Sequence, residues 1–216
     1  MITDHAAPGI DTMDEPAHLA PDDTLLGLAY DPFTDHFFLR LAPGNQFRVV
    51  DRPDRSIKRE FAAPKVPADG GGDLAIRSRD RHLFLSHATQ PALIEITLHG
   101  RFVRTIRLAG QTAPPRGVAY NQSRHHLYIL REGDPRSVQR FDLDGHDLGR
   151  IELAHDVWPH TLAFDSDAQE FYAQLRANHR IGVFSFDGRL LRTLENPSPT
   201  NLRHFDVGPR SFLRLF

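Results

Sequence analysis

The feature of this sequence that most constrains its fold is a short segment of small and apolar residues that recurs four times. An alanine marks each copy, at positions 29, 75, 119 and 163, so successive copies are 46, 44 and 44 residues apart. Tandem units of this length are typical of proteins in which one supersecondary element is repeated. The repeat therefore has to be interpreted before any single motif.

Each copy contains a series of strand signals in the same order. The alanine lies in a continuous apolar run, which is typical of a strand buried on both faces. An aromatic-rich segment follows eight to ten residues later. A segment of alternating polarity comes next, then a hairpin dipeptide and a last strand. The hairpin dipeptides are His99–Gly100, Asp144–Gly145 and Asp187–Gly188, with Pro53–Asp54 at this place in the first copy.

Four short strands in each repeat predict an all-β fold, a β-propeller of four-stranded antiparallel blades. A single sheet of this size cannot bury both of its faces, whereas radial packing of several sheets covers them. The sequence predicts four full blades at about 25–64, 73–110, 116–154 and 160–196, and a partial fifth at 201–216.

The incomplete fifth repeat leaves two arrangements open. Residues 1–24 are predicted to form a mobile N-terminal segment, long enough to complete the last blade of a five-bladed ring. Their many Asp, Pro and Gly residues are unfavourable for strands. In the other arrangement, the chain is a fragment of a six-bladed propeller.

The fourth copy resembles a known repeat. Its segments Thr161–Asp165 and Phe186–Leu194, with Asn178–Ile181 between them, are similar to an NHL repeat. The third copy is looser and the first two are divergent. The resemblance implies a propeller, most often one with six blades. It says little about function, because one fold serves many functions.

Composition and charge exclude several classes of function. The net charge of −2 gives no electrostatic argument for nucleic acid, and without cysteine there is no disulfide or thiolate metal site. No stretch approaches the roughly 20 apolar residues of a membrane span. The N-terminus lacks the pattern of an intact secretory signal, which leaves the compartment open. Only Lys58 and Lys65 are lysines among 26 basic residues, a bias typical of a GC-rich bacterial genome.

The residues just before each innermost strand are expected to face one mouth of the central channel. Arg116 and His160 lie three positions before their alanines, Asn201 falls at the corresponding place in the partial copy, and His204 is close by. Trp158 precedes His160 and offers a stacking surface. These five residues are the predicted ligand-binding set, suited to a small anionic or sugar-like ligand. The alternative is that they are ordinary loop residues and that the tryptophan fills a gap between blades.

The sequence predicts no metal ligand and no cofactor. Among the 13 histidines, His125 and His126 are adjacent on a strand and so point to opposite faces. The segment Asp142–Asp147 resembles the start of a calcium loop, but it lacks the later ligands and coincides with the hairpin turn. It is therefore interpreted as a turn.

The function predicted first is a non-catalytic binding or scaffold propeller that presents its channel mouth to a protein or small ligand. The alternative is a metal-dependent, lactonase-like hydrolase or lyase with a divalent ion in the channel, so catalysis is left open. Binding of RNA is disfavoured by the near-neutral charge. An open ring would also expose strand edges through which two copies of the chain could pair.

Overall fold

The computed structural model describes residues 19–67, 71–196 and 204–207, and in these residues sixteen strands form four antiparallel sheets. The predicted all-β propeller with four full four-stranded blades is confirmed. In the described ranges there is no helix of any length that could cross a membrane.

Each blade is a meander whose strands pair in chain order. Blade one contains β1 (Thr24–Asp31), β2 (His36–Ala42), β3 (Gln46–Asp51) and β4 (Ile57–Ala62). Blade two contains β5 (Leu74–Arg77), β6 (His82–Ser86), β7 (Ala92–Thr97) and β8 (Phe102–Arg107). Blade three contains β9 (Pro115–Asn121), β10 (His126–Arg131), β11 (Asp134–Phe141) and β12 (Asp147–Glu152). Blade four contains β13 (Ala163–Asp165), β14 (Glu170–Gln174), β15 (Ile181–Ser185) and β16 (Leu190–Leu194).

In blades one, three and four, the first turn is fixed by local side-chain hydrogen bonds. Asn121 ends β9, and its Oδ1 accepts hydrogen bonds from the backbone of Ser123 and Arg124. Asp31 and Asp165 cap the equivalent turns of blades one and four in the same way. Short polar side chains that bond to the backbone two or three residues ahead favour such turns. The residue six positions after the alanine then has a positive φ in every blade: Asp35, Arg81, His125 and Gln169.

The described core contains five apolar clusters, and the three largest each lie between two consecutive blades. Phe38 and Phe47 of blade one pack with Leu83 and Ile94 of blade two. The second cluster joins blades two and three. In the third, Tyr128 of blade three packs against Phe164 and Phe171 of blade four, with ring centroids 4.8 and 4.9 Å apart. Two smaller clusters each belong to one blade: one lies in blade one, and the other lies in blade four, where Phe205 and Val207 pack against it. Most of the core therefore lies between blades.

The innermost strands β1, β5, β9 and β13 run side by side around a central channel and begin at the same end of it. We call this end of the channel the upper end, and the end where these strands finish the lower end. Residues 204–207 lie between blades four and one. The hydroxyl of Thr161 donates to Phe205 O over 3.2 Å, and Tyr30 N donates to Asp206 Oδ2 over 2.8 Å.

The other residues of the predicted partial blade, 201–203 and 208–216, lie outside the described residues. The same holds for residues 1–18 of the predicted mobile N-terminal segment. The choice between a five-bladed ring and a fragment therefore stays a prediction.

The hairpin glycines have a second role beyond the turn itself. Gly188 has φ +84°, and a Cβ placed on it would lie 1.8 Å from the carbonyl oxygen of Glu152 in the preceding blade. Gly145 approaches Arg107 O of its preceding blade in the same manner, at 2.0 Å. Ala154 N also donates to Gly188 O over 2.9 Å. The turn of one blade is thus pressed against the last strand of the blade before it.

We expect Gly188→Ala to lower the free energy of unfolding by about 2–4 kcal/mol, because the methyl group adds a clash with Glu152 O to the strain of a positive φ. Gly110→Ala is the matched control, since Gly110 has φ +70° but nothing within 4 Å of its added Cβ. It should cost only about 1 kcal/mol. Urea unfolding of both variants measures the difference, and equal losses would show that the contact between blades is unimportant.

Candidate functional site

At the upper end, the carbonyl oxygen of Arg116 takes part in hydrogen bonds beside the channel, whereas its side-chain charge is paired with an acid. Its carbonyl oxygen accepts hydrogen bonds from Asp73 N, over 3.1 Å, and from the hydroxyl of Ser86, over 3.0 Å. Its guanidinium group pairs with Glu132, with 2.9 Å between the nitrogen and the carboxylate oxygen. The positive charge predicted for the channel rim therefore already has a counter-charge.

The structure brings Trp158 and His160 together, and two further residues lie beside the tryptophan. The Trp158 ring is nearly parallel to the rings of His160 and His179, at 13° and 14°, with both centroids 6.3 Å away. The guanidinium carbon of Arg176 lies 4.9 Å from the centre of the tryptophan ring. Trp158 is half-buried, whereas both histidines are exposed. We call Trp158, His160, Arg176 and His179 the upper cluster.

Backbone pairing explains why these four residues meet. The segment before β13 pairs with the end of β14 through the bridge between Val157 and Leu175, and Trp158 N donates to Gln174 O over 2.8 Å. This pairing brings the β14–β15 turn, with Arg176 and His179, to the upper end. Sequence reasoning missed Arg176 and His179. The topology of a blade could have identified them. In a meander, the turn between the second and third strands lies at the end where the innermost strand begins.

The predicted residue His204 faces an acid that was not predicted to have a role here. His204 Nδ1 lies 3.9 Å from Oδ1 of Asp73, which is 1% exposed. The other oxygen of Asp73 accepts hydrogen bonds from the backbone nitrogens of Val118, over 3.2 Å, and Leu162, over 3.0 Å. One carboxyl group of blade two thus holds the innermost strands of blades three and four.

The environment of Asp73 disfavours its charge. Burial raises the pKa of this carboxyl group, while the nearby His204 and the two backbone donors oppose the rise. In the described residues, no group donates a hydrogen bond to Asp73 Oδ1. The channel therefore contains a buried acid that is held in place by backbone amides and has one oxygen directed at a histidine.

Of the five predicted residues, the structure joins two directly. Trp158 and His160 form part of the upper cluster, while Arg116 and His204 each lie next to Asp73. Asn201 falls outside the described residues. The predicted set stays a prediction, and His160 is its most exposed member in the described part of the chain.

A second buried acid, Glu95, forms ion pairs that stabilise the contact between blades. Glu95 is 1% exposed and receives hydrogen bonds from Arg77, over 3.0 Å, and Arg104, over 2.7 Å. Burial alone would raise the pKa of Glu95, but its bonds to Arg104 and His82 outweigh it and the pKa is lowered. Arg104 also pairs with Asp144 of the next blade, at 2.9 Å. This network joins blades two and three.

The segment that resembles a calcium loop forms a hairpin turn. Asp142 Oδ1 accepts hydrogen bonds from the backbone of Asp144 and His146, both over 2.9 Å. Over the described parts of the chain, no three His, Asp or Glu side chains converge in a way that could hold a metal ion.

Comparisons with known proteins agree on the fold. No protein-family model and no curated protein matches the chain. A chain of a nidogen/laminin complex is 13% identical, with a TM-score of 0.60 over 86% of this chain and 85% of that one. The hydrazine synthase of Kuenenia stuttgartiensis is 14% identical, with a TM-score of 0.53 over 82% of this chain. Our chain spans about half of that protein's chain, 51%. At this level of identity, the likeness concerns the propeller fold alone.

We expect Asp73→Ala to lower the free energy of unfolding by about 3 kcal/mol, because the buried amides of Val118 and Leu162 lose their acceptor. Asp73→Asn keeps an acceptor oxygen in the same place and should cost about 1 kcal/mol. Chemical denaturation of the two variants at neutral pH measures both values. Equal losses would mean that the charge of Asp73, and not its hydrogen bonds, stabilises the inner strands.

Proposed function

We propose that this chain is a non-catalytic binding propeller that recognises an anionic group at the upper end of its channel. The group is carried by a small sugar-like ligand or by a partner protein. The observation that carries the proposal is the upper cluster, which combines a tryptophan ring, a guanidinium group and two exposed imidazoles on one surface.

The charge of Arg176 makes an anion the fitting ligand. Its Nε donates to Val157 O over 3.0 Å, which fixes the guanidinium group above the tryptophan ring. No acid in the described ranges forms an ion pair with Arg176, in contrast to Arg116 and Glu132. A fixed arginine fork binds carboxylate and phosphate groups with two parallel hydrogen bonds.

The tryptophan and histidine rings add affinity for a flat or sugar-like group. Indole and imidazole rings offer apolar faces for packing, and imidazole nitrogens supply hydrogen bonds to hydroxyl or anionic oxygens. The rings are held by the backbone pairing of Trp158 with Gln174, so little order has to be gained on binding.

We also propose that the chain is a divergent member of the NHL-repeat proteins. The support is the fourth blade, whose four strands form one regular sheet. The apolar strand that ends at Asp165 is the innermost strand of this sheet, and the turn at Asp187–Gly188 precedes its outermost strand. A partner protein is kept as one carrier of the anionic group, because one propeller with a similar fold comes from a complex of nidogen with laminin. Pairing of two copies of the chain through an open blade edge remains a prediction.

Because Trp158 is the chain's single tryptophan, its fluorescence reports directly on the proposed site. We expect glucuronate, phosphate or citrate to change the emission in a saturable way, and glucose at the same concentration to leave it unchanged. Arg176→Ala should weaken binding roughly tenfold to a hundredfold, the usual range for a lost charge-assisted hydrogen bond.

Arg189→Ala is the matched control. Arg189 lies in the same blade at the lower end, where it pairs with Asp187 at 2.9 Å and its side chain is 77% exposed. This variant should bind like the parent chain. A lack of response to all three anions would contradict the proposal, and so would an equal loss of affinity in the control.

A further inference from the structure

The lower end of the channel holds a second pocket with a different chemistry. It is a cavity of about 100 Å³ whose lining includes Tyr30, Tyr120, Phe164, Asp167 and Asp206. Pockets for drug-sized ligands are larger, at about 300–1,000 Å³. This cavity therefore has room for one small ligand or a few water molecules.

The walls of the pocket come from one position of the repeat. The residue that follows the alanine is Tyr30 in blade one, Ile76 in blade two, Tyr120 in blade three and Phe164 in blade four. Ile76, Tyr120 and Phe164 belong to the clusters between blades. All four residues stay 5–6% exposed, and all four line the cavity. Three of the four walls are therefore aromatic.

The charged groups that line this pocket are acidic. Asp206 and Asp167 contribute carboxyl groups, and among the described residues that line the pocket there is no lysine, arginine or histidine. The described lining is therefore negative wherever its acids are ionised. Aromatic rings together with carboxylates attract an organic cation, because the ring faces and the acids both carry negative potential.

We propose that this lower pocket binds a small organic cation, an alkylammonium group, between the rings of Tyr30, Tyr120 and Phe164 and the carboxylates of Asp206 and Asp167. The methyl groups of such a cation would contact the rings. Asp206 is fixed for this role, since its Oδ2 accepts a hydrogen bond from Tyr30 N over 2.8 Å. The site differs from the upper cluster in both its position and the sign of the ligand charge.

Binding should be linked to release of a proton. Burial raises the pKa of Asp206 to about 8, and the nearby charge of Asp73 adds to the rise, while the amides of Tyr30 and Val207 oppose it. The other titratable groups around Asp206 are His204, next to Asp73, Asp167 on the lining, and Tyr30 and Tyr120, whose pKa burial raises to about 12. A bound cation favours the ionised form of Asp206. Affinity should therefore increase as the pH rises towards 8 and level off above it.

The test is isothermal titration calorimetry of the full chain with tetramethylammonium chloride, against sodium chloride at the same ionic strength. We expect saturable binding of tetramethylammonium at pH 8.5 and a Kd roughly thirtyfold weaker at pH 6.5, because binding then has to remove the proton from Asp206. Repeating the titration in two buffers of different ionisation enthalpy measures the protons released. A peptide containing trimethyl-lysine, titrated in parallel, distinguishes a partner side chain from a free ligand.

Two variants and a control complete the design. Asp206→Asn keeps an oxygen for Tyr30 N but removes the charge, so binding should weaken at least tenfold and lose its pH dependence. Phe164→Leu keeps the apolar packing of the wall but removes one ring, and it should weaken binding several-fold at both pH values. Asp187→Asn removes an exposed acid of the same blade and should change nothing.

Each outcome decides the matter. If sodium produces the same heat as tetramethylammonium, or if no binding occurs at pH 8.5, the pocket does not recognise an organic cation. A pH dependence that survives in Asp206→Asn would assign the proton to another group and overturn the proposed role of Asp206. If Asp206→Asn does not fold, the buffer-dependent heat of the parent chain still tests proton release. The result for Phe164→Leu then tests the contact between the cation and the rings.

Discussion

The sheets of this chain have apolar side chains on both faces, and neighbouring sheets cover most of this apolar surface. This constraint explains why the three largest core clusters lie at blade junctions and why each needs residues from two blades. The close approach of neighbouring blades requires small residues at particular positions of the repeat. The alanine of each innermost strand is at most 4% exposed, and the hairpin glycines leave no space for a side chain against the preceding blade. The repeat is conserved within the chain at the positions where neighbouring blades touch.

Radial packing creates a second requirement at the centre of the ring. The innermost strands of different blades converge there without pairing as a ladder, so some of their backbone amides need another acceptor. Two acids provide it: Asp73 binds the amides of Val118 and Leu162, and Asp206 binds the amide of Tyr30. Carboxyl oxygens are strong acceptors, but two buried acids near each other disfavour charge, and the pKa of each is raised. The polar interior of the channel thus stabilises the ring and makes it sensitive to pH.

The sequence was sufficient to predict the blades, because period, strand order and turn residues are local signals that recur in phase. Trp158 and His160 could be assigned to the upper end from sequence, since both precede an innermost strand, but their role in binding stays a prediction. The sequence was not sufficient for Arg176 and His179, which reach the same surface through pairing between Val157 and Leu175. Nor did it reveal Asp73 as an acceptor, because its partners are 45 and 89 residues away. In the last repeat no alanine marks the register, and only contacts across the ring, such as Phe205 with Thr161, place it beside blade four.

The two ends of the channel show how one repeat produces two different surfaces. Residues that begin the innermost strands lie at the upper end, next to turns that contribute Arg176 and His179, and the resulting surface is basic and aromatic. Residues that end these strands lie at the lower end, where Asp206 and Asp167 join aromatic walls. The core clusters between blades contain apolar side chains from the strand interiors, whereas Asp206 also accepts a hydrogen bond from the amide of Tyr30. The exposed side chains of Asp167 and His179 can therefore change with less cost to the fold than Asp206, which combines a structural hydrogen bond with its place on the pocket lining.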